Sequence, residues 1–121
     1  MVTQEDVRRV ALALPGTTEE DGFTFRVAGR QFVWLWRERM DPRKPKVPNP
    51  GVVVVRVADL GGKEALLASD PATFFTTEHY DGYRSVLVRL DAVDGQVLAE
   101  VVTDSWRTQA PKHLLSEVDG G

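Results

Sequence analysis

Any chemistry in this chain must come from hydroxyls, imidazoles, carboxylates and cationic groups, because cysteine is absent. Its absence excludes disulfides, thiolate nucleophiles, zinc knuckles and iron–sulfur ligation. The serines Ser69, Ser85, Ser105 and Ser116 lie outside any G-x-S-x-G elbow. The histidines are His79 and His113, and neither has a triad context. Gly61-Gly62-Lys63-Glu64 looks like a phosphate loop, but it lacks the earlier glycine and the Ser/Thr that would follow the lysine. A flexible helix start is the simpler reading of that glycine pair. Glu78-His79 with Asp81 offers imidazole and oxygen ligands, yet a metal site wants several donors converging at defined spacing. His79 is expected instead to hydrogen-bond a neighbouring backbone group. Glu19-Glu20-Asp21 and Asp91/Asp94 read as loop solvation and helix capping rather than paired acid/base carboxylates. No catalytic residue, cofactor or metal is therefore expected.

Cations are more informative. The formal net charge of the 121 residues is −3, which argues against a general nucleic-acid binder. The charge is nevertheless uneven. Between Arg26 and Arg56 stand eight basic residues (Arg26, Arg30, Arg37, Arg39, Arg43, Lys44, Lys46 and Arg56) against Glu38 and Asp41, a balance of +6 that leaves −9 for the remainder. Such asymmetry implies an electrically polar molecule whose positive side steers anionic partners.

The elements that would position these groups follow from periodicity. Thr3 caps a predicted helix over 3–14, with Val7, Val10, Ala11 and Leu14 on one face, and Pro15-Gly16 stops it. Thr17–Gly22 reads as an acidic loop. Phe23–Ala28 and Gln31–Arg37 read as a hairpin turning at Gly29-Arg30. That turn pairs Val27 with Phe32, Phe25 with Trp34 and Phe23 with Trp36, so all six share the core face. Residues 38–50 contain four prolines and read as a long exposed loop. Val52–Val57 is a predicted strand, with Val53, Val55 and Val57 inward and Arg56 outward. Asp59 caps a helix to about Ser69, and Asp70-Pro71 opens a turn through Phe75. Thr76–Tyr83 reads as a short edge strand and turn. In Arg84–Leu90, Val86, Val88 and Leu90 face in, while Ser85, Leu87 and Arg89 face out. Asp94 caps a last long helix whose stripe includes Val97, Leu98, Val101, Val102 and Trp106, and Pro111 interrupts it. Parity places Arg26, Arg56 and Arg89 on one sheet face, opposite the helices.

This order predicts an α+β fold with an antiparallel sheet and helices packed on one face. The length fits one domain over residues 1–118, followed by a frayed tail at 119–121. The longest apolar runs, Val10–Leu14 and Phe32–Trp36, are too short to cross a bilayer, and no signal-peptide stretch opens the chain. A cytoplasmic address without membrane contact is the expectation.

LALPGTTEE, then FTFRVAGRQFVWL, then HYDGYRSVLVRLD, then the helix ending TDSWRTQAPK together resemble the MmcQ/YjbR family over roughly Val7 to Leu115. Leu14-Pro15-Gly16, Phe25, Arg26, Val27, Gly29, Arg30 and Ser105-Trp106 carry the match. This chain has Gly82-Tyr83-Arg84 where a tryptophan often follows a histidine in the family. The resemblance implies a CyaY-like α+β fold and a non-enzymatic, DNA-binding role with a double-wing arrangement. Under that implication Arg37, Arg39, Arg43, Lys44 and Lys46 contact phosphates from a loop, and Arg26, Arg30 and Arg56 extend the patch across the sheet. Binding through phosphates is weak and largely non-specific. The alternative is a protein-interaction or small-ligand module, including a homodimer, that uses Val33, Leu35, Val52, Val54 and Leu87 on the uncovered sheet face.

Overall fold

The computed structural model describes residues 1–20, 22–38, 43 and 47–119. The elements are α1 (Gln4–Leu12), β1 (Thr17–Glu20), β2 (Thr24–Val27), β3 (Arg30–Glu38), β4 (Val47–Arg56), α2 (Leu60–Ser69), β5 (Phe74–Phe75), β6 (Ser85–Arg89), α3 (Gly95–Gln109) and α4 (Lys112–Asp119), with a 3₁₀ turn at Glu78–Tyr80. The strands form one antiparallel sheet in the order β1-β2-β3-β4-β6-β5. The expected α+β architecture is therefore observed.

Helix ends follow the expected side-chain chemistry. Thr3 Oγ1 accepts from the Asp6 N–H while the Asp6 carboxylate accepts from the Thr3 N–H, a reciprocal capping box. That backbone hydrogen bond holds the Asp6 carboxyl below its ordinary range. Asp59 accepts from the Gly62 N–H, and Asp94 from those of Gln96 and Val97.

A single apolar core lies between the helices and one sheet face. Val7 and Ala11 of α1, and Leu98, Val102 and Trp106 of α3, pack there on Phe25, Val33, Leu35, Val53, Val55, Val86 and Val88. Leu66 and Leu67 of α2 and Leu114 and Leu115 of α4 close its margins. The parity read along β4 and β6 agrees with this burial.

The hairpin differs from expectation. Its two-residue loop is Ala28-Gly29, with φ of 52° and 78°, and Val27 pairs with Arg30. Positive φ at both loop positions is the mark of the type I′ turn, whose twist suits flanking strands. Phe25 then pairs with Val33 and Arg26 with Gln31, so Phe32 is an extra residue in the ladder. Shifting a ladder by one residue reverses every facing. Val33 and Leu35 therefore enter the helix-covered core, and Trp34 and Trp36 go to the other face. The turn itself moves the partner of Val27 by two residues, from Phe32 to Arg30, which preserves facing, so the bulge is what reverses the residues after Phe32 while Phe32 keeps its place in the main core.

Three boundaries also differ. Thr17–Glu20 is an edge strand on β2 rather than a loop. β4 begins at Val47 despite Pro48 and Pro50, which shortens the expected loop. β6 pairs only with Val52–Arg56, so the proline-bearing half of β4 needs no ladder donors on that side. The edge strand after α2 is Phe74–Phe75, ahead of the segment expected to supply it.

A bidentate ion pair ties α1 to β1. Arg8 Nε and Nη2 donate to the two Glu19 carboxylate oxygens at 2.7 and 2.9 Å. The Arg8 hydrogen bond holds the Glu19 carboxyl below its usual range. A depressed carboxyl pKa contributes stability above the unfolded value and loses it as pH falls through the folded one. Glu19→Gln is expected to be less stable than the parent at pH 7, with the gap closing as pH falls below about 4.3. Denaturation midpoints measured across pH check this.

Candidate functional site

The second sheet face is not bare. Val52, Val54 and Leu87 are buried beneath half-buried Trp34, Trp36, Phe75 and Tyr80. Trp36 and Phe75 meet edge to face at 5.6 Å, and Trp34 Nε1 donates to the Tyr80 hydroxyl at 3.3 Å. Arginines lie across these rings. Arg56 sits 5.4 Å from the Trp34 centroid and Arg89 sits 3.9 Å from that of Phe75.

Tyr80 reaches this cluster because Lys63 holds its backbone. Lys63 of α2 is 5% exposed, and its ammonium donates to the carbonyls of Tyr80 and Tyr83 at 2.6 and 2.8 Å. Burial pulls the Lys63 pKa below its ordinary value, opposed by the charge of Asp81. The residue that imitates a phosphate-loop lysine in the sequence is therefore a clamp on the 80–83 backbone. Next to it His79 lies against both Tyr80 and the largely exposed Tyr83. Among the described residues these ring contacts, rather than the expected backbone hydrogen bond, are what the His79 side chain makes.

Ser105 and Trp106 position the strands from behind. Ser105 Oγ donates to the Phe32 carbonyl at 2.6 Å and accepts from the Arg56 N–H at 2.8 Å. One buried hydroxyl thus joins the β3 bulge to the end of β4. Trp106 Nε1 donates to the Pro15 carbonyl at 3.0 Å, joining α3 to the turn after α1.

The eight cations read from the sequence do not share one environment. Arg26 is paired with Glu20 at 2.9 Å and also donates to the Gly29 carbonyl, so its charge is largely answered. Arg56 has no carboxylate partner among the described residues. Its Nε donates to the Gln31 carbonyl at 3.0 Å, which fixes the guanidinium at the end of the sheet. Arg30 is exposed and makes no ion pair among the described residues. Arg37 is exposed at the far end of β3, on the order of 20 Å from Arg30 at about 3.3 Å per residue. A guanidinium nitrogen of Arg37 lies over the turn at Gly22. Arg43 is exposed in a turn. Arg39, Lys44 and Lys46 lie outside the described residues.

Arg30 and Arg56 instead converge with a residue that the run from 26 to 56 does not contain. Arg84 lines the same cleft, and its carbonyl accepts from the Val57 N–H at 3.0 Å. The pairing of Arg56 with Ser85 brings it there. Parity in Arg84–Leu90 places Arg84 beside the strand, but only the β4–β6 register joins it to Arg56. Among the described residues no group of three or more His, Cys, Asp or Glu side chains is placed to hold a metal ion. Nor is any described helix long and apolar enough to cross a membrane.

Comparisons with known proteins agree with this architecture. The chain is 39% identical over 121 residues to the uncharacterized proteins Mb2600 of Mycobacterium bovis and Rv2570 of Mycobacterium tuberculosis, covering 95% of this chain and 94% of each relative. The fold matches the crystal structure of Deinococcus radiodurans protein DR2400, of domain family DUF419, with a TM-score of 0.67 at 22% identity, covering 98% of this chain and 89% of that one. The model of the YjbR family matches residues 12–108. That span takes in the Pro15 turn, the bulged hairpin and the Ser105-Trp106 pair, and the chain belongs to the MmcQ/YjbR family.

Proposed function

We propose that this protein is a non-enzymatic binder of DNA that holds the phosphate backbone weakly and with little sequence preference. Family membership agrees with a nucleic-acid or ligand-binding, non-catalytic role. The observation that carries the reading is the pair of exposed Arg30 and half-buried Arg56 at one end of the sheet, neither with a carboxylate partner among the described residues. Arg37 extends the binding surface from the other end, and the basic residues Arg39, Arg43, Lys44 and Lys46 are assigned to it from the sequence. Arg26 contributes least, because Glu20 already pairs with it. Guanidinium forks suit phosphate oxygens, and such contacts supply affinity without reading base edges. α3 exposes Asp104 and carries Glu100, so it is a poor candidate for a groove-reading helix. A cytoplasmic setting, where nucleic acid is available, belongs to the same proposal.

The protein-contact alternative loses its apolar footing. Val33 and Leu35 lie in the helix-covered core, and Val52, Val54 and Leu87 are buried under the aromatic layer.

Fluorescence anisotropy on a labelled duplex tests the DNA reading. Affinity is expected to fall steeply between about 50 and 200 mM salt. Arg30→Glu with Arg56→Glu is expected to weaken binding to all sequences alike and to lower the salt slope by roughly one for each phosphate no longer neutralised. An absence of binding at low salt, or an unchanged slope in the double variant, would refute it.

A further inference from the structure

Where β4 ends, two depressions share the walls Arg56, Val57, Ala58 and Thr108. One, of about 420 Å³, runs between α2 and α3 against Leu66 and Val101. The other, of about 500 Å³, is lined by Arg30, Arg56, Arg84 and Gln109 and has no carboxylate in its walls. Each volume lies in the range of small-molecule sites, roughly 300–1,000 Å³.

We propose that this double cleft binds a small amphipathic organic anion, its carboxylate or phosphate-ester head held by Arg30, Arg56 and Arg84 and its apolar body lying against Leu66 and Val101. Three like charges around one opening repel one another, and an oxyanion relieves that repulsion. Arginine presents a planar fork that matches both carboxylate and phosphate. Arg56 is set in advance: the Gln31 carbonyl holds its Nε, and the Trp34 ring lies beneath it. Asp104, the carboxylate on the apolar half, sits 3.9 Å from Arg107 across a helical turn, so its charge faces a partner of its own. The cationic half disfavours neutral or cationic guests, and the apolar half favours an amphiphile over free phosphate. The cleft shares Arg30 and Arg56 with the DNA reading, and Arg84, Leu66 and Val101, outside that patch, tell the two apart.

Titrating the intact protein with octanoate, octyl phosphate, octanol and inorganic phosphate, followed by amide chemical shifts, tests this. At least one of the two amphiphilic anions is expected to bind about tenfold or more tighter than octanol or inorganic phosphate, and the stronger of the pair identifies the head group. Arg84→Ala and Leu66→Gln are each expected to weaken that binding about tenfold. Thermal unfolding establishes that both variants are folded, and duplex binding by Leu66→Gln should be unchanged. The proposal is overturned if neither anion saturates, if octanol or inorganic phosphate binds as tightly, or if the folded variants bind like the parent. Octanoate binding that survives while duplex binding is absent would sink the DNA reading alone.

Discussion

Trp106→Ala is expected to destabilise the fold by about 3–5 kcal/mol, as large aromatic truncations in cores do. The side chain is fully buried among α1, α3 and the sheet. Its removal opens a cavity and strands the Pro15 carbonyl, which now accepts from Nε1. A domain of this size has about 5–15 kcal/mol in total, so the variant sits near the limit of folding. Trp106→Phe separates the two causes. It keeps most of the ring volume but removes the N–H, and it is expected to cost less than alanine while still exceeding 1 kcal/mol or so. Urea denaturation midpoints, with unchanged slope, give both values. If phenylalanine were as stable as tryptophan, the Pro15 hydrogen bond would contribute nothing.

Ser105→Ala is expected to cost about 2–4 kcal/mol, far more than loss of an ordinary surface hydroxyl. The side chain loses only an oxygen, so the cavity is small. The cost arises because the Phe32 carbonyl and the Arg56 N–H lose their partner together in a site closed to solvent. Each buried unsatisfied group carries about 1–3 kcal/mol. The effect should also be local. Hydrogen exchange at the Arg56 amide is expected to accelerate more than at Val54, which lies within the β3–β4–β6 ladder. Equal acceleration at both would show that Ser105 acts on global stability rather than on the strand end.

These two residues explain part of the family pattern in physical terms. Leu14-Pro15-Gly16 and Ser105-Trp106 are distant along the chain and are joined by one indole hydrogen bond. Gly16 has φ of 71°, a left-handed conformation that glycine adopts without strain. These motif residues carry out packing and strand placement. The cleft lined by Arg30, Arg56 and Arg84 lies beyond them.

Much of the architecture is readable from local rules. The capping residues Thr3, Asp59 and Asp94, the inward set Val53, Val55, Val86 and Val88, and the outward Arg56 and Arg89 all follow from spacing. Capping chemistry and side-chain period act over a few residues, so the order along the chain contains them. The hairpin register is different. Both Gly29-Arg30 and Ala28-Gly29 can turn the chain with the same facing, and the bulge at Phe32 then moves Trp34 and Trp36 from one face to the other. Ala28 in a left-handed conformation carries a local cost that burial of Val33, Leu35 and the bulged Phe32 offsets.

The candidate site divides along the same line. A basic stretch is visible in composition, but whether its charges meet depends on strand pairing. Glu20 reaches Arg26 across the β1–β2 edge, and Arg84 reaches Arg56 through the β4–β6 ladder. Covalent order and short-range sterics were enough for the capped helices and for the inward faces of β4 and β6. Register, the aromatic cover on the second face and the meeting of Arg30, Arg56 and Arg84 came only with folding, because each depends on contacts between segments far apart in the chain, whose free energy no local window contains.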